Sequence, residues 1–370
     1  MEFGLIALTA VLLFFLGFAN GANDVSKAIA TLAGAGLTSV RGAVLWGTVW
    51  TVAGALAGLF WGGALIKNIT ENIYTTQHDF YLPLTVAVSA APIGWVALAT
   101  WRRWPVSTTH AIVGGLVGAG LTAYGMQGIY WSAILSKIAL PLLASPFMAI
   151  ALAWLFTPLL QRVAGAIGRT RLCLTPVPKV ALLARNDNGR TGQIPLEDCL
   201  VCHCDSPQAG LTHGLAISVD HMHWLTSGLL SFSRGLNDAP KLIAVVLPFL
   251  MLDEYVAPVW LFFWAALAMG AGSWLAGNNI TEVLGFKVTK MNHEQGFAAN
   301  LVAAVLVIGA SRVGLPVSTT HVSASSIMGV GLAHRRGLNM KTVSGMLFAW
   351  LVTAPVSGLF AAVIYMGGAL

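Results

Sequence analysis

Two short runs of polar residues each occur twice in this chain. Pro-Val-Ser-Thr-Thr-His stands at 105–110 and again at 316–321, an offset of 211 residues. Asn-Asp-x-x-Lys stands at Asn23-Asp24-Val25-Ser26-Lys27 and again at Asn237-Asp238-Ala239-Pro240-Lys241, an offset of 214. Two different motifs recurring in the same order at nearly one offset imply an internal duplication. The first offers Ser107, Thr108, Thr109 and Ser318, Thr319, Thr320, six hydroxyls that can both donate and accept hydrogen bonds. Pro105 and Pro316 hold the preceding residues extended, so Ser107 and Ser318 fall where a helix N-cap belongs. A helix N-terminus lined with hydroxyls suits a tetrahedral oxyanion; a polar cap that only satisfies backbone is the alternative.

The second motif offers a carboxylate beside amide oxygens. Asn20, Asn23, Asp24, Asn237 and Asp238 could coordinate a hard cation with the help of unwound backbone carbonyls, or an Asp could carry a proton. Lys27 and Lys241 lie one helical turn beyond the aspartates, so each Asp–Lys set also reads as a structural pair that only balances charge. A lysine that balances the aspartate and attracts an anion is a third reading.

The elements that hold these motifs are membrane helices. Of 370 residues, 56% are hydrophobic and 9% charged, and mean hydropathy is +0.76. A soluble domain carries roughly a quarter charged residues, so the bilayer is this chain's solvent. Met1-Glu2 lacks the basic start of a cleavable signal peptide. The net charge of +6 is spread over loops and points to no nucleic acid. Apolar segments near 3–19 and 25–38 flank the first Asn-Asp motif, and those near 214–233 and 240–252 flank the second. Several are shorter than the roughly 20 residues a crossing needs, which predicts one helix broken at each motif and about five crossings per half.

An odd number of crossings inverts the second half relative to the first. The expected architecture is an all-α polytopic membrane protein. Its first repeat covers 1–160, a central loop 161–213, and an inverted second repeat 214–370. With both termini outside, fourteen Lys and Arg fall on the cytoplasmic side, including Arg162, Arg169, Arg171, Lys179, Arg185 and Arg190 of the loop. Three fall outside (Lys67, Lys137 and Arg312), in accord with the positive-inside bias. Polar motifs duplicated inside hydrocarbon are expensive, and transport at an inverted-repeat midplane is the usual reason for them.

The central loop holds all four cysteines. Cys199, Cys202, His203 and Cys204 form a compact C-x-x-C-H-C run. It is open to three readings: a small Zn²⁺ site, reduced free thiols, or covalent haem attachment in a redox protein. A cytoplasmic loop argues against haem. There is no Walker-type loop, and His110 and His321 follow hydroxyl residues with no carboxylate partner in view, so an enzyme is not expected.

On Gly17-Phe18-Ala19-Asn20-Gly21-Ala22-Asn23-Asp24, Phe232-Ser233-Arg234-Gly235-Leu236-Asn237-Asp238, both Pro-Val-Ser-Thr-Thr-His runs and Gln295-Gly296-Phe297-Ala298-Ala299, the chain resembles the inorganic phosphate transporter (PiT) family. These are secondary transporters moving phosphate with Na⁺ or H⁺. The resemblance covers both halves and omits the loop. It implies that the six hydroxyl residues hold phosphate, that Asn20, Asn23, Asp24, Asn237 and Asp238 serve cation coupling, and that the chain forms a homodimer. Sulfate, or an anion channel on the same scaffold, is the alternative. Three positions depart from the common pattern: Lys27, where Asn is frequent, Arg234, where His is, and Asn300, where Glu is. Lys27 in particular predicts coupling that leans toward H⁺ or uses fewer Na⁺ ions.

Overall fold

The computed structural model describes residues 2–70, 73–75, 82–169, 183–185, 191–193, 218–250, 257–286, 288–289, 291–334 and 338–368. The first half contains α1 (Glu2–Asp24), α2 (Ser26–Gly34), α3 (Val40–Trp61), α4 (Gly63–Thr70), α5 (Leu82–Trp101) and α6 (Thr108–Tyr124). It ends in one continuous run of α7 (Trp131–Ala133), a π-helical stretch (Ile134–Ala139) and α8 (Leu140–Arg169). The second half contains α9 (Val219–Val246), α10 (Val259–Ala276), α11 (Asn278–Phe286), α12 (His293–Arg312), α13 (Thr319–Ala333) and α14 (Met340–Gly368). Within 161–213 a small antiparallel hairpin pairs Leu183–Arg185 with Thr191–Gln193. Cys199, Cys202, His203 and Cys204 lie outside the described residues.

Seven helical spans among the described residues are long and apolar enough to cross a bilayer, the first running Phe3–Gly34 and the fourth Trp131–Ala166. α9 is long as well, but carries Asp220, Arg234, Asp238 and Lys241. Outward-facing Phe60, Phe147, Phe263, Leu275 and Leu351 are largely exposed, as the lipid-facing shell of an integral membrane protein requires.

Contacts between elements pair the halves. α1 packs along α10 as α9 packs along α3, and α6 lies on α14 as α13 lies on α8. α5 bridges α1 and α14 as α12 bridges α9 and α8. The order of contacts fixes the sense of each pair. Trp264 of α10 donates to Ala10 O at 2.7 Å, Gly17 approaches Ala268 and Gly21 approaches Ser273, so α1 and α10 run parallel. Gly228 lies on Trp50, Gly54 on Phe232 and Gly62 on Pro240, so α3 and α9 run parallel. Gly58 meets Phe262 while Gly270 meets Val52, so α3 and α10 run antiparallel. Helices α1 and α9, which carry the duplicated Asn-Asp motif, therefore point in opposite directions, the relation an inverted repeat calls for.

Small residues make these approaches close, as membrane helix pairs require. A Cβ on Gly54 would sit 1.9 Å from Phe232 O, on Gly235 2.1 Å from Thr51 O, and on Gly114 2.2 Å from Ala354 O.

At the Asn-Asp motif the structure departs from the broken helix that the sequence predicts. The first copy is interrupted only at Val25, which keeps helical torsions (φ −57°, ψ −37°). The second runs unbroken through Asn237 and Asp238 within α9. Unwound carbonyls are therefore not what these motifs present. The helix need not open, because Asn and Asp find side-chain and distant carbonyl partners, and the Pro240 ring packs on Gly58 and Gly62.

The real breaks precede the Ser-Thr-Thr motifs. Just past the end of α5 stands Arg103 at φ +60°, and just past α12 Gly314 at φ +71°, residues 211 apart. Each opens the same turn: Trp104 N–H donates to Ala99 O at 2.8 Å, and Leu315 N–H to Ala310 O at 2.9 Å, the Schellman closure of a helix C-terminus. Ordinary residues tolerate that φ at a cost of roughly 1–2 kcal/mol. The chain then runs extended into the next helix.

Replacing Gly54 by Leu forces the α3–α9 crossing apart and should destabilise the fold by about 1–3 kcal/mol or more. Gly94, whose Cβ would meet nothing within 4 Å, is the control. Thermal unfolding in detergent should fall for Gly54→Leu and hold for Gly94→Leu.

Candidate functional site

Each Ser-Thr-Thr motif starts a short helix as the sequence predicts. Ser107 (φ −95°, ψ 114°) accepts from His110 N–H, and Ser318 (φ −88°, ψ 109°) accepts from His321 N–H, both at 3.2 Å. The two serines are thus N-caps, and in this respect the plain capping reading of the motif holds for both copies. The two helix starts meet between the halves: the rings of His110 and His321 lie with centroids 4.4 Å apart, tilted by 40°, and His321 lies against Trp350 at 4.0 Å.

The third hydroxyl of each motif crosses to the other repeat. Thr320 donates to Val106 O at 2.9 Å and accepts from Lys27 Nζ. Thr109 accepts from Lys241 Nζ at 3.0 Å. Thr108 donates to Asp24 Oδ2 at 3.1 Å, and Thr319 is buried at its helix start. All six hydroxyl residues singled out from the sequence are buried in one region.

The Asn-Asp-x-x-Lys copies lie against them. Lys27 Nζ has four acceptors within hydrogen-bond reach of its three protons: Asp24 Oδ1, Asn23 Oδ1 at 3.1 Å, Val106 O at 2.8 Å and Thr320 Oγ1. Lys241 Nζ donates to Asp238 Oδ1 at 3.3 Å, to Val317 O at 2.7 Å and to Thr109. The carbonyls of Val106 and Val317, each just before an N-cap serine, are held equivalently in the two halves. Asn20 Nδ2 bridges the repeats, donating to Asp24 Oδ2 at 3.0 Å and to Asp238 Oδ2 at 3.3 Å. Asn23 donates to Trp104 O and Asn237 to Val317 O, at 3.1 and 3.2 Å.

Three participants were not singled out as site residues. Thr100 Oγ1 accepts from Asn23 Nδ2 at 3.0 Å, and Ser311 Oγ donates to Asn237 Oδ1 at 3.1 Å. They are 211 residues apart, so the duplication offset itself could have found them. Arg234, equivalent to Asn20 by the 214 offset, is 1% exposed. Its Nη2 donates to Thr51 Oγ1 at 2.6 Å and to Ser273 Oγ at 3.4 Å. Its Nε and Nη1 meet no acceptor among the described residues. With three cations and two carboxylates, the buried cluster carries one net positive charge at ordinary ionisation. Such a cluster favours an anion nearby, since a buried charge is costly unless balanced.

Among the described residues, no three His, Cys, Asp or Glu side chains converge on a metal position.

Removing Ser311's hydroxyl leaves Asn237 Oδ1 buried without its donor, and Thr100→Val does the same to one Asn23 donor. Ser311→Ala and Thr100→Val should each lower stability by about 1–3 kcal/mol, read as an earlier melting transition in detergent.

Comparison with known proteins places this geometry. A low-affinity inorganic phosphate transporter proposed for Bacillus subtilis is 29% identical over 94% of this chain and 92% of its own. The chloroplastic inorganic phosphate transporter 2-1 of Arabidopsis thaliana is also 29% identical, over 95% of this chain and 70% of its own. A putative phosphate permease of Pyrococcus horikoshii is 26% identical over 97% of each chain. The solved structure of a sodium-dependent phosphate transporter superposes with TM-score 0.77 over 98% of both chains at 22% identity, which shows the shared fold. Residues 20–361 match the phosphate transporter family, PHO4; the chain belongs to that family, one of transporters rather than enzymes.

Proposed function

We propose that the chain is a secondary active symporter that moves inorganic phosphate across the membrane by alternating access, coupled to Na⁺ or H⁺. One observation carries this reading: two Ser-capped helix starts, one from each repeat, interlock through Val106 O–Thr320, while Lys241 of α9 reaches Thr109, beside a buried cluster with excess positive charge. Amide N–H groups at a helix start and adjacent hydroxyls are donors for a tetrahedral oxyanion. Ser107, Thr108, Thr109, Ser318, Thr319 and Thr320 are the residues we assign to phosphate. With the serine oxygens already spent on capping, Thr108, Thr109, Thr319 and Thr320 are the hydroxyls best suited to exchange protein partners for substrate oxygens.

Asn20, Asn23, Asp24, Asn237 and Asp238 are assigned to cation coupling, with Lys27 and Lys241 balancing charge. Asn20 touches both aspartates, so a change of charge at either one is felt in both repeats. The lengthwise division is two repeats, 1–160 and 214–370, around the loop 161–213. The distribution of Lys and Arg supports termini outside and the loop in the cytoplasm. The family resemblance also implies a homodimer, which native mass spectrometry would read.

The test is radiolabelled phosphate uptake into proteoliposomes, with Na⁺ and pH gradients imposed separately and sulfate as competitor. Concentrative uptake insensitive to sulfate supports the reading. Uptake abolished by sulfate would reassign the cargo, and flux that never exceeds equilibration would make the protein a channel. Thr108→Val and Thr319→Val should weaken phosphate binding by about tenfold to a hundredfold, the worth of one hydrogen bond to a charged group. Asp24→Asn should abolish concentration against a gradient; wild-type behaviour in all three variants would remove the site assignment.

A further inference from the structure

The groups around the two buried lysines bear on the coupling ion. Lys27 Nζ is ringed by Asp24 Oδ1, Asn23 Oδ1, Val106 O and Thr320 Oγ1. Lys241 Nζ is ringed by Asp238 Oδ1, Val317 O and Thr109 Oγ1. Carboxylate, carbonyl and hydroxyl oxygens are the donor set that holds a hard cation, and half-helix breaks at a midplane are where transporters hold Na⁺. Here an ammonium fills that place in each repeat. Both lysines are 1% exposed, and the oxygens around them already accept from Nζ. A metal ion at the same oxygens would sit against a like charge in a dry interior, where the repulsion is weakly screened. The donor set is of the kind that holds Na⁺, and the lysine ammonium groups occupy it.

We propose that the Lys27 and Lys241 ammonium groups are tethered cations standing where a coupling Na⁺ would stand, so that transport by this chain needs no Na⁺. The inference rests on the phosphate-transport reading above and makes these lysines the determinants of ion specificity. The arrangement appears once in each repeat, joining an aspartate one turn back to the carbonyl before an N-cap serine and to the third hydroxyl of the opposite motif. A lysine that only neutralised its aspartate would need none of these last contacts. The sodium dependence of the superposed transporter belongs to that protein.

The experiment compares wild type with Lys27→Ala, Lys241→Ala, Lys27→Met and Lys241→Met. Phosphate uptake into proteoliposomes is measured under a fixed pH gradient, in Na⁺ buffer and in K⁺ buffer. Melting of the same proteins in detergent is measured in both salts. Wild-type uptake and melting should be the same in Na⁺ and K⁺. The Ala variants, which leave the oxygens around a space, should lose uptake in K⁺, and Na⁺ should restore it and raise their melting temperature. The Met variants fill the space without charge, and Na⁺ should rescue neither property. A wild type that takes up phosphate only in Na⁺, or melts higher in Na⁺, overturns the inference, as do Ala variants that melt alike in both salts. Should the Ala variants fail to fold, the wild-type comparison decides. No wild-type uptake under any gradient would overturn the transport reading instead, while the salt dependence of wild-type melting would still test the lysines.

Discussion

Five charged side chains without access to water govern this fold. Asp24, Asp238, Lys27, Lys241 and Arg234 are each at most 3% exposed, in a protein whose outer shell faces hydrocarbon. Any one of them alone would be costly enough to exclude. The lysines and aspartates are tolerated because each finds opposite charge and oriented dipoles, with partners from both halves, whereas Arg234 is met only at Nη2 among the described residues. Asn20 of the first half reaches the aspartate of the second, and Lys27 of the first half reaches Thr320 of the second. Removing one partner strands another, so the cluster is settled as a unit or not at all.

The close helix packing follows from the same demand. For Asn20 to touch both aspartates, α1 and α9 must approach at the centre, and their flanking partners α10 and α3 must lie almost backbone to backbone with them. The glycines at 21, 54, 235 and 272 have carbonyl oxygens where a Cβ would stand. With no hydrophobic force between helices in lipid, such contact is also what holds the halves together. Polar centre and small-residue seams are therefore two sides of one constraint.

Much of this was legible in the sequence, for reasons that differ by range. The N-caps at Ser107 and Ser318 were readable because proline, capping residue and helix start interact within a few positions. An inverted arrangement is what the duplication and an expected odd number of crossings per half predict, and the opposite sense of α1 and α9 is consistent with it. The Asn-Asp motifs misled as local signals. Polar residues in an apolar run look like a helix break, yet Asn237 and Asp238 sit in an unbroken helix, with partners on α12, on α1 and at Val317, far away in the chain, as well as Lys241 one turn on. Arg234 and the Thr100–Ser311 pair went unassigned for a related reason. Their importance comes from what surrounds them in space, although the repeat offset linked Thr100 to Ser311 all along.

The wiring of the cluster also explains how an anion and a cation could be made to move together. In the transport reading, phosphate must take hydroxyl groups that at present serve the protein: Thr320 on Lys27, Thr109 on Lys241 and Thr108 on Asp24. At Lys27 and Lys241 the exchange removes a partner from a buried cation and the incoming anion replaces it with negative charge of its own; at Asp24 it removes a donor from a carboxylate, which then needs a cation or a proton. Binding and charge balance are thus the same event at the two lysines, whose threonine contacts both cross between the halves. A rocking motion that carries α9 and α13 together away from α6 must break Val106 O–Thr320 and Lys241–Thr109. It would then expose unbalanced lysines unless phosphate stayed on one of them. Coupling of this kind needs no moving wire between distant sites, because the hydroxyls assigned to substrate and the groups assigned to charge balance share hydrogen bonds.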